Sequence, residues 1–248
     1  MAQMDKITQD LIDGYRTPEV VIEKLRHIKT VIITGISAAG KDTIQQGLLA
    51  DEQYSKVVTS TTREPRKNNG VMEIDGVDYY FLTLEEAQKR MRDGEYIEVM
   101  NVHGNVNGSL VKEYERISQL GSVALSDIDY QGAAHFLDFD MQELSVFFVV
   151  PPSFDVWFKR LTERYGDSLD DNLDEIIKRM QSAQKEIAFA QTHPEFIPVL
   201  NDQIERVTGE IKAIVNGTPA LSEEMLSRNY ELMAQLLEDI NSYLSIHA

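Results

Sequence analysis

The sequence predicts an α/β fold in which a parallel central sheet is flanked by helices. Segments at residues 31–33, 122–132 and 146–150 read as buried strands. The first segment leads into a glycine-containing loop and a helix, and helical patterns separate the later segments. Strands that alternate with helices are typical of a parallel sheet, because the helices form the crossover connections.

Composition and charge restrict the classes of partner. The 248 residues are 42% hydrophobic and 26% charged, as in ordinary globular proteins, and the net charge is −17. Binding to nucleic acid or anionic membranes is not expected, because it depends on excess Lys and Arg. Cysteine is absent from the sequence, which excludes disulfides and thiolate chemistry. With no signal-peptide pattern and no apolar run of about 20 residues, we expect a cytoplasmic protein.

Residues 1–29 predict two short helices. Ile7, Leu11 and Ile12 share one face of the first helix, and Gly14 suits its end. In the second, Thr17 is expected to cap the N-terminus, with Pro18 at the first helical position. These helices either pack on the domain that follows, which we favour, or bind a partner.

Residues 30–43, TVIITGISAAGKDT, combine a strand, a glycine loop, a lysine and a helix start. Glycines allow backbone N–H groups to turn toward phosphate oxygens, and a helix N-terminus adds partial positive charge. Lys41 supplies a full charge for the β- and γ-phosphates. The flanking strand and helix indicate a phosphate-binding loop rather than a simple turn. Asp42 stands where such loops usually carry a hydroxyl that binds Mg²⁺.

A cluster of arginines and hydroxyls follows a short strand that ends at Val58. Arg63 and Arg66 lie close to Ser60, Thr61 and Thr62. The planar guanidinium suits phosphate, so the cluster indicates an anion site, with a solvated basic turn as the alternative. The chain continues with a polar hairpin over 67–78, a strand over 79–81 and a helix over 84–92 capped by Thr83.

Acidic residues are predicted beside two further strands. Glu98 lies on a short strand, before a glycine-punctuated loop that ends at Ser109 and a helix over 110–119. A second buried strand is predicted from Ser122 to Gly132, and it ends in two carboxylates, Asp127 and Asp129. Since ligands bind beyond the carboxyl ends of parallel strands, these acids are placed to meet a metal-nucleotide or a donor-rich base. Alternatively, one of them caps a helix.

Three arginines border a polar segment at 166–172, between helices predicted over 153–165 and 173–191. Arg160, Arg164 and Arg179 in this arrangement are typical of a lid, and salt bridges to nearby acids are the alternative. A last strand covers 196–200. In the helix that begins after Ser222, apolar residues form a seam that either packs on the domain or mediates oligomerisation: Leu226, Tyr230, Met233, Leu237, Ile240 and Leu244.

Six motifs in order resemble the guanylate kinases: GISAAGKDT, STTREPR, DGVDYYF, EYIEV, HGNVNGS and DIDYQG. The resemblance spans about residues 31–202. It implies a P-loop kinase with a small GMP-binding lobe (about 59–110), a helical lid (about 160–180) and extra terminal helices. The kinase-like domain would cover 30–208, flanked by extensions at 1–29 and 216–248. The family uses ATP and Mg²⁺ to phosphorylate GMP.

The resemblance also implies site residues. The ATP-binding set is Gly35, Ser37, Ala38, Ala39, Gly40, Lys41, Asp42 and Thr43. The GMP-binding set is Ser60, Arg63, Arg66, Tyr79, Glu98, Ser109 and Asp129. Transfer would involve Lys41, Arg63, Arg160, Arg164 and Arg179. We expect Asp42 to serve Mg²⁺, with Thr43 as a second candidate.

The chain departs from the family pattern at Asp42, at Ala38 in the glycine loop and at Asn107, where the family usually has a tyrosine. The leading hypothesis is an ATP:GMP phosphotransferase acting on small-molecule substrates. A non-catalytic guanylate-kinase-like binding domain and a kinase of a phosphorylated ribose are the alternatives. The second would not need the guanine-reading acids Glu98 and Asp129.

Overall fold

The computed structural model describes residues 4–68, 70–102, 104–163 and 172–247. In chain order its elements are α1 (Lys6–Gly14), α2 (Glu19–Leu25), β1 (Thr30–Thr34), α3 (Lys41–Leu49), β2 (Tyr54–Lys56), β3 (Ser60–Thr61), β4 (Lys67–Asn68), β5 (Val71–Met72), β6 (Tyr80–Phe81), α4 (Leu84–Arg92), β7 (Tyr96–Val102), β8 (Asn105–Leu110), α5 (Val111–Gln119), β9 (Val123–Asp127), α6 (Tyr130–Leu137), β10 (Leu144–Val150), α7 (Phe154–Thr162), α8 (Leu173–Gln191), β11 (Phe196–Leu200), α9 (Ile204–Val215) and α10 (Glu223–His247).

The main sheet has five strands in the order β11-β10-β1-β9-β2. Its strands β10 and β11 run parallel, with Val146 opposite Phe196 and Val150 opposite Leu200. All five residues of β1 are buried, as expected for a strand covered on both faces. The predicted α/β fold with a parallel central sheet is confirmed. The chain divides into two compact units.

The first unit comprises described residues within Met1–Thr30, Ser55–Ser126 and His135–Glu143. This unit contains a four-stranded sheet with the order β6-β3-β8-β7. Strands β7 and β8 of this sheet form an antiparallel hairpin. The sequence prediction of a loop up to Ser109 was wrong, because that segment forms β8. Asn and Gly are poor strand formers, but β8 lies between two strands and pairs with both. The pairing overrides the local preference.

The N-terminal helices belong to this unit and pack on it. Leu11, Ile12 and Tyr15 contact a buried cluster that includes Met91 and Tyr96. Packing on the domain, the favoured interpretation, is therefore what the structure shows. The predicted cap was wrong: Pro18 occupies the N-cap position of α2 without a side-chain cap. The Thr17 hydroxyl instead donates to the carbonyl of Ile97, at 2.5 Å.

The second unit comprises described residues within Val31–Tyr54, Asp127–Ala134 and Leu144–Ala248. Here α10 packs against α7, α8, β10 and β11. Met233, Ile240 and Leu244 of the predicted seam are buried in that contact. The apolar seam thus has an intramolecular role, and oligomerisation through the terminal helices stays a prediction. Among the described residues, no helix has the length and apolarity to cross a membrane.

Two helices were missed by sequence reasoning. In α6, Gly132 interrupts a short pattern, and glycine lowers helix propensity. In α9, Val207, Ile211 and Val215 are buried at helical spacing, which was a usable signal that Gly209 obscured.

Candidate functional site

The glycine loop between β1 and α3 requires its glycines. Gly35 and Gly40 have φ of 134° and 95°, which side chains rarely adopt. A Cβ on Gly35 would lie 2.8 Å from the backbone oxygen of Val149, and one on Gly40 only 2.1 Å from Asn201 Nδ2. Ala38 also has a positive φ, 65°, where the family pattern has glycine. The chain therefore retains the left-handed backbone there despite the alanine, at a cost of about 1 kcal/mol.

Side-chain donors hold the carbonyl oxygens of this loop. Lys41 Nζ donates to the carbonyl of Gly35 at 2.6 Å and to that of Ile36 at 3.2 Å. The indole N–H of Trp157 donates to Ser37 O at 2.8 Å, and Asn201 Nδ2 donates to Ala39 O at 2.7 Å. With its carbonyls bound, the loop presents less negative charge to an approaching anion. Trp157 itself is fully buried, so its ring packs in the core.

Two of the three predicted lid arginines contact the loop. Arg160 Nη1 lies 3.4 Å from Ala39 O, and Arg179 Nη1 lies 3.2 Å from the Ser37 hydroxyl. Arg179 also pairs with Glu175 at 2.7 Å, one turn earlier on α8. The structure thus gathers Lys41, Arg160 and Arg179 around one loop. Arg164 and the segment 164–171 lie outside the described residues.

Asp42 and Thr43 are exposed in the first turn of α3, a helix whose N-cap is Gly40. Among the described residues, no cluster of three or more His, Asp or Glu side chains could hold a metal by itself. Mg²⁺ is commonly bound by one or two carboxylates together with substrate phosphates and water. An exposed carboxylate beside a phosphate-binding loop fits that mode of binding.

Glu186 on α8 was missed by sequence reasoning, because nothing distinguishes it from the other acids of that helix. Burial raises the pKa of Glu186, and the nearby negative charge of Asp129 adds to this. A 2.9 Å hydrogen bond from Ser182 and the positive charge of Lys41 oppose the rise. The charge of Lys41, the candidate catalytic lysine, therefore influences the pKa of Glu186.

Asp129 is exposed and directly precedes α6. Its Oδ1 accepts a 2.8 Å hydrogen bond from the backbone N–H of Gly132, so the helix-capping alternative is what the structure shows. A second role in reading a base stays a prediction. The predicted strand was also too long, since β9 ends at Asp127.

In the first unit, Arg63 forms a two-pronged pair with Glu73. Its Nη1 and Nη2 donate to the carboxylate at 2.8 and 3.1 Å. These hydrogen bonds raise the pKa of Arg63 and lower the pKa of Glu73. The guanidinium also lies 5.3 Å from the ring centroid of Tyr79 and 5.8 Å from that of Phe81. The structure thus places Arg63 beside Tyr79, and the carboxylate of Glu73 holds the guanidinium in that position. Binding of a phosphate by Arg63 and Tyr79 stays a prediction.

Arg66 is more exposed than Arg63 and pairs with the same carboxylate at 3.6 Å. The backbone N–H of Arg66 also donates to Glu73 Oε2, at 3.0 Å. Sequence reasoning treated residues 67–78 as a polar hairpin and missed Glu73. An acid seven positions after a pair of arginines was the available signal.

Glu98 and Ser109 face each other across the β7–β8 hairpin. The Ser109 hydroxyl donates to Glu98 Oε1 at 2.7 Å, and both residues are buried. Gly108 precedes Ser109 on β8, and a Cβ there would lie 2.4 Å from the backbone oxygen of Glu98, so glycine is required at that position. Asn107 is half-buried beside this pair. Hairpin register, which the sequence did not reveal, creates the Glu98–Ser109 pair.

Ser60 lies on β3 of the same sheet and is also buried, with 1% of its surface exposed. Its Oγ is 3.1 Å from the carbonyl of Gly108 and 3.2 Å from the hydroxyl of Tyr96. The contact of Ser60 with an acceptor phosphate stays a prediction, whereas its link to the hairpin backbone is direct.

Comparison with known proteins gives concordant matches. The sequence model of guanylate kinase matches residues 27–218. Guanylate kinase from Corynebacterium efficiens is 32% identical over 195 residues, covering 77% of this chain and 97% of that protein. A relative of the same name from Clostridium perfringens (strain SM101 / Type A) is 31% identical over 216 residues, covering 84% and 94%. The crystal structure of guanylate kinase from Anaplasma phagocytophilum has a TM-score of 0.56 at 27% identity, covering 78% and 86%.

Proposed function

The chain belongs to the guanylate kinase family, and from this premise we propose that it transfers the γ-phosphoryl group of ATP to GMP or dGMP. The bond between the γ-phosphorus and the β–γ bridging oxygen breaks. A bond forms between that phosphorus and an oxygen of the acceptor phosphate, which gives ADP and GDP (or dGDP). The protein need supply no covalent intermediate, so catalysis depends on positioning and on charge stabilisation.

On the donor side, the loop from Gly35 to Thr43 would bind the ATP phosphates. Lys41 is half-buried, and its two carbonyl contacts hold the ammonium beside the loop. Exchange of these contacts for phosphate oxygens would place a full charge at the β- and γ-phosphates. Arg160 and Arg179, with Arg164 from the predicted lid, would stabilise charge on the transferred group.

On the acceptor side, Arg63, Arg66 and Tyr79 would bind the GMP phosphate. The pair with Glu73 fixes the orientation of the Arg63 guanidinium before substrate arrives. Such preorganisation lowers the entropy that binding would otherwise cost. Arg63 would therefore act as a rigid anion contact and Arg66, which is exposed, as an adaptable one.

The observation that carries the choice of acceptor is the buried Glu98–Ser109 pair. Guanine offers adjacent N–H donors at N1 and at its amino group, which suit a carboxylate acceptor. Adenine has a lone pair at N1 and would leave the buried acid without its bond, which is costly. Asp129 is proposed as the second acid that accepts from the base. A phosphorylated ribose has no use for these acids, which weighs against that alternative.

Asp42, with Thr43, would hold Mg²⁺ directly or through water. When bound, Mg²⁺ would neutralise charge on the β- and γ-phosphates. The exposed carboxylate in the first turn of α3 supports this assignment. Retention of Lys41 and of the loop arginines supports an enzyme over a non-catalytic binding domain.

An acceptor panel tests the proposal. The purified full chain would be incubated with ATP, Mg²⁺ and GMP, dGMP, AMP, CMP, UMP or ribose bisphosphate, and ADP release would be followed. We expect turnover with GMP and dGMP, and discrimination against AMP by a factor on the order of 10⁴ in kcat/KM. Absence of turnover with both guanine nucleotides would overturn the proposal. Preference for the sugar phosphate would support the alternative acceptor class.

A further inference from the structure

The edge of the β6-β3-β8-β7 sheet carries an irregularity beside the proposed guanine-reading acid. Tyr96 pairs with Leu110, but Glu98 pairs with Ser109, so the register shifts at Ile97. The outer backbone groups of an edge strand have no strand partner. Bulges of this kind re-aim side chains and are over-represented next to active sites. Here the shift sets Glu98 opposite Ser109.

Two side chains from the N-terminal segment bind this edge. The hydroxyl of Tyr15 donates to the carbonyl of Tyr96 at 2.6 Å and accepts from its N–H at 3.1 Å. The hydroxyl of Thr17 donates to the carbonyl of Ile97 at 2.5 Å. In a regular strand, consecutive carbonyls point to opposite sides, so binding both from one segment fixes the irregular backbone.

The segment is held in place by packing. The ring of Tyr15 lies edge-on to that of Tyr96, with centroids 6.3 Å apart. Leu11 and Ile12 pack on the same buried cluster, and Thr17 also lies 3.1 Å from His135 Nε2. Burial raises the pKa of Tyr15 to about 12, so the hydroxyl remains a donor at any ordinary assay pH. Tyr15 and Thr17 lie outside residues 27–218, the part matched by the family model.

We propose that Tyr15, assisted by Thr17, is a positioning residue for the acceptor site: it fixes the backbone at Tyr96 and Ile97 and thereby aims Glu98 at the guanine base. The inference rests on the proposed function, since Glu98 must read the acceptor. Tyr15 acts through the backbone and touches no substrate. The terminal segment therefore tunes acceptor affinity, and donor binding is independent of it.

The test is Tyr15→Phe in the full chain, which removes the hydroxyl and keeps the ring. We expect KM for GMP to rise about tenfold, a change of about 1.4 kcal/mol. The kcat at saturating GMP should change by less than about twofold, and KM for ATP should not change. Thr17→Val should shift KM for GMP in the same direction, because it removes the bond to Ile97.

Thr8→Val is the matched control. It removes the 2.7 Å bond from Gln88 to the Thr8 hydroxyl, which ties α1 to α4, and the bond from that hydroxyl to the carboxylate of Asp5 at the start of α1. The hydroxyl bonds of Tyr15 and Thr17 to β7 remain. If Tyr15→Phe and Thr17→Val leave KM for GMP unchanged, or if Thr8→Val raises it equally at matched melting temperature, the positioning role is wrong. The wild-type chain separates the two levels of inference. Wild type without GMP turnover overturns the proposed function, whereas active wild type with unchanged variants overturns only the role of Tyr15.

Discussion

The hydroxyl of Ser109 donates a 2.7 Å hydrogen bond to Oε1 of Glu98 across a hairpin in which both residues are buried. A buried carboxylate held by a neighbouring hydroxyl has a fixed orientation. It can therefore discriminate between ligands by the hydrogen bonds they offer, because an unmade bond to a buried charge is costly. We therefore expect the choice of acceptor to depend on this pair.

Glu98→Gln should strongly reduce use of GMP. The amide N–H₂ would meet the guanine donors, so we expect kcat/KM for GMP to fall by about 100-fold or more. Steady-state rates over the acceptor panel would measure this. Glu115→Gln is the control, since Glu115 is an acid of the same unit whose ion pair with Lys24 lies at the surface. If GMP preference survives in Glu98→Gln, the acid does not read the base.

Arg63→Lys should weaken acceptor binding. Lysine cannot reproduce the two-pronged pair with Glu73 or offer a planar fork to phosphate. We expect KM for GMP to rise about tenfold or more, with KM for ATP unchanged. Arg26→Lys, at a surface ion pair with Glu23, serves as the control. Equal effects of the two changes would argue against a specific phosphate contact.

Lys41→Met should reduce kcat by a factor on the order of 10² to 10³, because a positioned charge is lost from the site of transfer. GMP affinity, measured by calorimetry, should stay within about twofold of wild type. Lys185→Met removes an exposed lysine from α8 and should have no effect. A Lys41→Met variant with nearly full kcat would exclude this lysine from catalysis.

Asp42→Asn should raise the Mg²⁺ concentration needed for half-maximal rate by about tenfold, because a neutral amide is a weaker ligand than a carboxylate. Rates at graded free Mg²⁺ would show the shift. Asp155→Asn, an acid in the first turn of α7, controls for the general effect of a charge at a helix start. Unchanged magnesium dependence in both Asp42→Asn and Asp42→Ser would count against a metal role.

Glu113 should contribute stability that is lost in acid. Burial acts to raise its pKa, but hydrogen bonds from Arg116, Tyr80 and the backbone of Val58 outweigh it, so the pKa is lowered from 4.5. A lowered folded-state pKa gives stability that is fully present above 4.5 and is lost as the pH falls through the folded value.

Glu113→Gln should therefore destabilise the protein by about 2 kcal/mol near pH 7, because it replaces charge-assisted hydrogen bonds of a buried carboxylate with weaker neutral ones. It should also flatten the loss of stability between neutral and acid pH. Urea unfolding at several pH values would measure both effects. A variant whose stability falls as steeply in acid as that of wild type would show that other groups control acid unfolding.

Interactions between residues close together in the sequence allowed part of the fold to be predicted. A buried apolar strand, glycines with positive φ and a lysine at a helix start all act within a few residues of one another. The capping box of α4, with Thr83 and Glu86, is equally local and was predicted from Thr83. The order of the motifs then supported a resemblance to the guanylate kinases, which implies binding roles for Arg63, Glu98 and Lys41.

Long-range pairing decided the rest. Strand β8 forms from Asn- and Gly-containing sequence only because β3 and β7 flank it, and their register makes partners of Glu98 and Ser109. The guanidinium of Arg63 is held by the carboxylate of Glu73, ten positions further along the chain. Such contacts depend on backbone register, which residue periodicity does not specify.

Thr17 shows the difference most directly. By sequence alone it is a helix cap ahead of Pro18, because both residues favour a helix start. In the folded protein its hydroxyl bonds Ile97, 80 positions further along the chain. The sequence determined the fold class, the phosphate-binding loop and the candidate site residues through local conformation and chemistry. Only the tertiary structure decided what the N-terminal segment binds, because the acceptors are edge-strand carbonyls brought there by packing.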